Sequence, residues 1–500
     1  MRLLSPTFLL LVTLACSGPA APGPGPRGEM VTIAVASLPP TLDPHRFAAL
    51  SPRRFGLFEA LTTISPRGEV DPELAARWEV REPTRWRVLL VTGRRFHDGT
   101  AVTAAAVKAS LDRASEPANR LPVAGYLATV REVQAIDAIT LEVVTTAPDP
   151  LLPRRLSQVA ILPSSLAERP LSSDWSREAI GSGPYRLAGW APNERLVLEA
   201  VAEHPAQPAV RTVVVRPLPE GAARVAALQR GEADLIVDTP AESAAALRAA
   251  GMTVAAGEAG VSVGVLLDAT RPSLRDRRVR QALNYALDKE RFVREVYRGF
   301  ATLERGQPIG PSTVGFHSSL EPYPYDPAQA KALLSAAESP RLTLRFDVFV
   351  TSPEVRESAF LIQSQLAEVG VTLDLQVVTE STSYLDRLAG RLPRAELTTA
   401  TLLSVPLLDA EPVLQWFRST PPAGAPWLEN PRFDAAVAAA STTLDPAARQ
   451  ALLQQAVAEL RADPAVLFLV QPQRVWATRG LTGVEPRPDN EPRPEVLRRR

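Results

Sequence analysis

At 500 residues and 53.9 kDa the chain exceeds one ordinary domain and fits about three. Hydrophobic residues make up 45% and charged residues 22%, a globular balance that excludes wholesale disorder. Basic and acidic residues number 55 each, so net charge is zero, which argues against a nucleic-acid partner needing excess cation against phosphates.

Arg2 precedes an uncharged run from Leu3 to Ala15 with the core Phe8-Leu9-Leu10-Leu11-Val12. A positive start and a short apolar stretch read as an export signal over residues 1–15, too short for a permanent membrane helix. The run ends Thr13-Leu14-Ala15-Cys16, which resembles the bacterial lipobox, whose cysteine is lipidated and becomes the mature N-terminus. The other reading is a buried cysteine in an ordinary signal peptide. Cys16 is the single cysteine, which excludes a disulfide framework and any cysteine metal cluster. Residues 16–29 are rich in Gly and Pro and read as a flexible tether. The expected location is the periplasm or cell surface, with a membrane anchor at lipidated Cys16.

Between about 57 and 180, short strands (Trp86 to Val91, Thr140 to Val144) surround one helix near Thr103 to Arg113, suggesting a separate α+β domain. Val210 to Val215 is an apolar β-branched run, Glu220 to Arg230 is helical in composition, and Ala233 to Val237 is a second short run, with Gly231 at the expected helix C-cap. Asp276 to Lys289 places Val279, Ala282, Leu283 and Ala286 on one helical face, with Asp276 and Arg280 spaced as i,i+4 partners. Asp326-Pro327 and Asp445-Pro446 each set an N-cap acid before a proline at the first helical position. Leu342, Leu344, Phe346, Val348 and Val350 alternate as in a half-buried strand. Ala359, Ile362, Leu366 and Val369 follow at helical spacing, Gly370 ends the helix, and Val371 to Val377 alternate again. Leu452, Leu453, Ala456, Val457 and Leu460 form an apolar helical stripe, read as core. Two strand–helix–strand units over 100 residues apart predict two α/β lobes with parallel pairing.

Catalytic chemistry leaves no trace in the pattern. His45, His97, His204 and His317 share no ligand spacing, and no Walker loop, HExxH or GxSxG motif occurs. Gly181-Ser182-Gly183-Pro184 reads as a turn, as does Phe96-His97-Asp98-Gly99, with His97 packed and hydrogen-bonded. No catalytic residue, metal site or cofactor is expected.

Leu38-Pro39-Pro40-Thr41-Leu42-Asp43-Pro44 resembles the opening of the extracellular solute-binding proteins of family 5, the dipeptide- and oligopeptide-binding lipoproteins of ABC importers. The likeness continues through Phe58 to Leu61, Pro72 to Trp78, Phe96 to Thr100, Gly181 to Leu187 and Ala227 to Asp234. It is strongest over Asp276 to Lys289 and resumes at Tyr325 to Leu334 and Ile362 to Val371, in order over roughly residues 31 to 480. The resemblance implies an α/β, two-lobed, type II periplasmic-binding-protein-like fold with an additional α+β domain. Lobe I would comprise residues 30–56, 182–267 and 477–492, the extra domain 57–181 and lobe II 268–476.

What the resemblance implies for function is a lipid-anchored substrate-binding component, without enzymatic activity. It would capture a peptide between its lobes by hinge closure and pass it to a membrane permease. A monomer is expected, with a peptide or other small solute and the ABC permease as partners and no nucleic acid. The strand Val261 to Leu267, with Ser262, is a candidate for main-chain pairing to the peptide, or else a purely structural strand. Peptide binders of the family set an aspartate against the ligand's ammonium in a segment resembling Asp-Tyr-x-Asp-Pro. Here Leu408-Asp409-Ala410-Glu411-Pro412 stands in that place, with Leu408 at the anchor position and Asp409 one residue off. Ser404 and Trp416 flank it as further candidate ligand contacts. Alternatives are a sugar or metal chelate as solute, a sensor or adaptor without transport, and an exported hydrolase.

Overall fold

The computed structural model describes residues 29–46, 52–171, 175, 178–422 and 424–500. The expected export signal, Cys16 and nearly all of the tether lie outside the described residues.

Strand β1 (Met30–Val35) opens the fold, its Val31 and Ile33 fully buried. β2 (Thr62–Ile64) and β3 (Val70–Pro72) form a hairpin whose turn closes through Gly68, at φ +81°, with Gly68 N donating to Ser65 O at 2.9 Å. β4 (Ala75–Glu82), β5 (Arg85–Leu90), β6 (Val130–Ala135) and β7 (Thr140–Thr145) make an antiparallel sheet in the order β4-β5-β7-β6. The helix Ala104–Ser115 is capped by Thr103 and lays Val107 and Leu111 on Val88, Leu141 and Val143. That core is separate from those of the lobes. The predicted turn at Phe96 to Gly99 forms, with Gly99 at φ +85° and His97 held between Gly181 N and Gly183 O.

β8 (Tyr185–Ala191), β9 (Arg195–Ala200) and β10 (Thr212–Pro217) meander antiparallel, and β10 then runs parallel to β1. The helix Gly221–Arg230 ends at Gly231, φ +71°, and leads to β11 (Leu235–Ile236). β1 lies between β10 and β11, parallel to both, so the crossover of the first strand–helix–strand unit spans one strand.

β12 (Thr253–Glu258) and β13 (Val261–Leu267) follow, then the helix Arg277–Tyr285, capped by Asp276. The expected Asp276–Arg280 pair does not form. Arg280 shares the buried face with Val279 and Leu283, so its guanidinium turns inward to Asp463 and to Pro464 O at 2.8 Å, while Asp276 takes Arg278 at 2.6 Å. β14 (Ala301–Leu303) precedes the second unit, β15 (Leu342–Phe349), the helix Pro353–Ala367 and β16 (Val371–Val378). Here the two strands are parallel neighbours, in register from Leu342 against Val371 to Phe349 against Val378.

β17 (Leu397–Leu403) and the 13-residue β18 (Val466–Thr478) complete the main sheet, ordered β16-β15-β17-β13-β18-β11-β1-β10-β9-β8. Helices cover both faces of the second half: Ile362, Leu366 and Leu283 pack on one, Leu453, Val457 and Phe433 on the other. The first half has its own core around Ile33, Val213, Val215 and Leu198. The chain is thus a two-lobed α/β structure with an added α+β unit. β18 belongs to both halves, pairing β13 through Val466–Val470 and β12 through Gln473–Thr478.

Where the added unit meets lobe I, fully buried His45 donates through Nε2 to Ala160 O at 2.8 Å and accepts from Arg113 through Nδ1 at 2.8 Å. A second proton would sit on Nδ1, against the guanidinium. Burial first, then the Arg113 charge, hold the imidazole down to about 4 from 6.5. The unfolded state therefore binds a proton between pH 6.5 and 4 that the folded state does not, and stability falls with pH across that window. At 1.36 kcal/mol per pKa unit this amounts to about 3 kcal/mol. Urea denaturation from pH 7 to 4 should show the stability difference between wild type and His45→Gln shrinking as pH drops; a constant difference would contradict this assignment.

Candidate ligand-binding junction

Three parts of the chain converge where β12 gives way to β13. Gly260, at φ +60° between them, lies against Val405, Leu408 and Pro488; a Cβ there would stand 2.4 Å from the Val405 side chain. Its carbonyl accepts from Ser404 N at 3.0 Å and Ser404 Oγ at 3.1 Å. Ser404 Oγ in turn accepts from Thr313 Oγ1 at 3.0 Å. From the added unit, the hairpin turn brings Gly68 so near Ser312 that a Cβ would fall 1.8 Å from Ser312 O. Only glycine permits that approach.

The loop after β17 is held more tightly than exposed loops are. Leu408 adopts φ +48°, a left-handed conformation that costs a non-glycine residue roughly 1–2 kcal/mol. Its amide donates to Ser404 O at 2.7 Å and its carbonyl accepts from Val314 N at 3.0 Å. Arg154, on the short helix Leu152–Leu156 of the added unit, donates to Leu407 O at 2.7 Å and also to Gly68 O. Strain retained under so many constraints is a mark of functional loops.

Asp409 is completely buried, with both oxygens taken by Arg449 at 2.6 and 2.8 Å and the Arg154 Nε at 3.8 Å. Arg449 also grips Glu411 at 2.9 Å. Burial alone would lower the Arg449 pKa, but hydrogen bonds and charge from Asp409, then Glu411, raise it above its ordinary value. The carboxylate considered as an ammonium anchor is instead an internal strut. Because Leu408 is left-handed, the loop is not the extended strand in which Asp409 would simply face away from its neighbour.

The other candidates separate. Ser404 and Leu408 share this loop, Leu408 being only 2% exposed. Ser262 points into lobe II, its hydroxyl donating to the wholly buried Glu304. Trp416 stands apart on the turn Gln415–Phe417 with 40% of its surface exposed. The strand Val261–Leu267 is hydrogen-bonded to β17 on one side and β18 on the other. From Val263 to Leu266 both edges are taken, so over that stretch the strand is a structural member of the sheet and not a free edge for strand addition.

Sequence reasoning missed Arg154, Arg449 and Gly68. Arg449 left a signal: it sits four residues before Leu453, in line with the buried stripe of the helix Pro446–Ala462. Arg154 left none, because its partners lie 86 residues away at Gly68 and 253 and 254 away at Leu407 and Leu408. A hollow of about 780 Å³ between residues 91–99 and 200–205 shares no lining residue with this junction, and its arginines are already engaged, Arg94 by Glu59, Arg95 by Gly99 O and Arg186 by Glu199.

A family model, bacterial extracellular solute-binding proteins, family 5, matches residues 69–399. The chain belongs to this family. Its members are extracellular binding components of ABC importers rather than enzymes, taking up peptides or other small solutes and working with a membrane permease. The glutathione-binding protein GsiB of Pectobacterium atrosepticum is 29% identical over 423 residues, covering 81% of this chain and 80% of that protein. Among solved structures, the murein tripeptide-binding protein MppA in its unliganded open form aligns with a TM-score of 0.83 at 22% identity, covering 95% of this chain and 98% of that one. DppA of Helicobacter pylori in complex with the peptide STSA aligns at 0.72 and 20% identity, covering 94% and 98%. No helix among the described residues is long and apolar enough to cross a membrane.

Removing the arginine of the loop's ion cluster should be costly. Arg449→Met leaves Asp409 and Glu411 buried without their main counter-charge, and the expected loss is about 3–5 kcal/mol in urea denaturation of the ligand-free protein. A loss below about 1 kcal/mol would mean that the loop is held by other contacts.

Proposed function

We propose that the protein captures a peptide-like solute at this junction by closing its two lobes, and delivers it to its permease while tethered through lipidated Cys16 as a monomer. The lobes are taken as 30–56 with 182–267 and 477–492, and 268–476, with 57–181 carried on the first. The observation that carries the reading is the loop Ser404–Ala410. It is buried, conformationally strained, and bound by hydrogen bonds both to the crossing segment at Gly260 and to the added unit at Arg154. A solute lodged beside it touches parts of every unit at once, the condition under which ligand contacts differ between open and closed states. The glutathione and peptide ligands named for the relatives favour a short peptide with free ends.

Calorimetry of the purified chain against glutathione, tri- to hexapeptides, a disaccharide and a nickel–histidine chelate tests this. One-to-one binding of glutathione or a short peptide at micromolar affinity, about −8 kcal/mol, is expected. Binding of the sugar or the chelate alone would reject the peptide assignment and leave the importer role in place.

A further inference from the structure

The two ends of the fold meet on one face of lobe I. β19 (Leu481–Thr482) pairs antiparallel with β20 (Arg498–Arg499), and Arg499 Nη2 donates to Met30 O at the start of β1. Arg500 N donates to Gly480 O at 3.0 Å, and Arg479 N to Asp234 O at 2.9 Å. Glu29, where the N-terminal segment joins the fold, accepts from Arg211 N through its carbonyl at 2.9 Å. Ion pairing here is one-sided. The acids bonded into the face are each matched, Glu29 by Arg211 at 3.2 Å, Glu232 by Arg230 at 2.7 Å and Asp234 by Arg499 at 3.1 Å. Arg479, Arg498 and Arg500 are exposed and left over. Their guanidiniums reach only neutral oxygens among the described residues: Gln229 O, the carbonyls of Glu495 and Leu497, and Thr253 Oγ1. A terminal carboxylate on Arg500 would offset one of these three charges. The whole chain carries no net charge, so the surplus belongs to this face and not to the molecule at large.

We infer that this face rests on an anionic phospholipid surface, with Arg479, Arg498 and Arg500 against the phosphates. A guanidinium meets a phosphate through two parallel, charge-assisted hydrogen bonds. The point where the tether joins decides which face is near the membrane. The thirteen residues 16–28 reach no more than about 45 Å even when fully extended. That is less than the way round a globular chain of this size, about 60 Å across, to its far side. A chain anchored at Cys16 therefore keeps its Glu29 side toward the membrane. Proximity matters because attraction to a charged surface is screened beyond about 8–10 Å. The face also stands clear of the ligand. Thr253 pairs with Thr478 at this end of β12 and β18, whereas Glu258 pairs with Gln473 at the other end, where the junction begins. Contact with lipid leaves the junction uncovered.

The inference rests on the Cys16 tether proposed above, and the experiment separates the two. The chain from residue 16 onward, carrying Cys16→Ser so that no acyl group contributes, would be floated at millimolar lipid with vesicles of phosphatidylglycerol and phosphatidylcholine in equal parts, and with phosphatidylcholine alone. Binding is expected to the anionic vesicles only, and to vanish when salt is raised from about 50 mM to about 0.5 M. Replacing Arg479, Arg498 and Arg500 together by Gln is expected to weaken it at least about tenfold. Replacing Arg77, Arg131 and Arg277 by Gln removes the same charge from exposed positions on β4, β6 and the helix Arg277–Tyr285, and should leave it unchanged. Both variants should melt with the parent, since all six side chains are exposed. Failure of the parent to bind anionic vesicles, or equal losses in the two triple variants, overturns the lipid-facing role. The tether is read separately, from the mass of the N-terminal peptide of the chain extracted from membranes; an unmodified Cys16 there rejects the anchor, while the vesicle result still decides the face.

Discussion

The bidentate pair between Asp409 and Arg449 is the interaction on which the junction depends. Taking two carboxylates and a guanidinium out of water is expensive, and it is tolerable here because every oxygen of Asp409 is used and Glu411 shares the same arginine. What the cluster secures is a path. Asp409 is fixed to the helix Pro446–Ala462, so the chain just before it must turn within a few residues, and Leu408 takes the left-handed conformation that results. The Arg154 guanidinium then caps the carbonyls this turn exposes, tying the added unit to a loop of lobe II. A loop with its charges paired internally can lie buried between the units without leaving a bare ion inside.

The second constraint is the shared strand. β18 changes partner from β14 to β12 between Pro472 and Gln473, and Gln473 is the residue paired with Glu258. The sheet therefore switches from one half to the other beside Glu258, whose Oε2 accepts from Ser312 N at 3.1 Å. The one strand thus carries the hydrogen-bond ladder of both halves, and their relative placement is set by its course through Gln471, Pro472 and Gln473.

Local regularity was legible in the sequence, and long-range pairing was not. The alternation through Leu342 to Val350 and Val371 to Val377 announced two strands because a buried face imposes period two on side chains. Asp326 and Asp445 before proline marked helix starts because the first turn has unpaired amides. The same local logic misled at Asp276 and Arg280, where helical spacing suggested a surface pair but Arg280 lies on the buried face. It also could not see that Val261 to Leu267, apolar and strand-like, is central in the sheet with both edges used. The loop before Glu411-Pro412 was legible as a segment, but the pairing of its charges was not. Whether Asp409 was free depended on Arg449 and Arg154, and neither spacing nor composition assigns partners 40 and 255 residues away.

The near absence of lysine, three against 52 arginines, sharpens the reading of what remains unpaired. A guanidinium keeps its charge when buried and meets a carboxylate with two parallel bonds, so it is the natural partner for an acid inside a protein. Where the chain lacks one, its buried groups yield charge instead. Burial lowers Lys289 to about 7 and lifts Glu304 well above the ordinary carboxylate range, a neighbouring pair that each lean toward neutrality. Glu304 has Ser262 as donor and lies wholly inside lobe II, so its uncharged form completes a closed interior. Glu258 is pushed in the same direction: its Oε1 packs on the Gly310 backbone, in the place a side chain would take, out of reach of water and of any donor. An acid kept from both water and arginine settles by favouring its proton, so in this chain it is the presence or absence of a guanidinium that decides which buried carboxyls keep their charge.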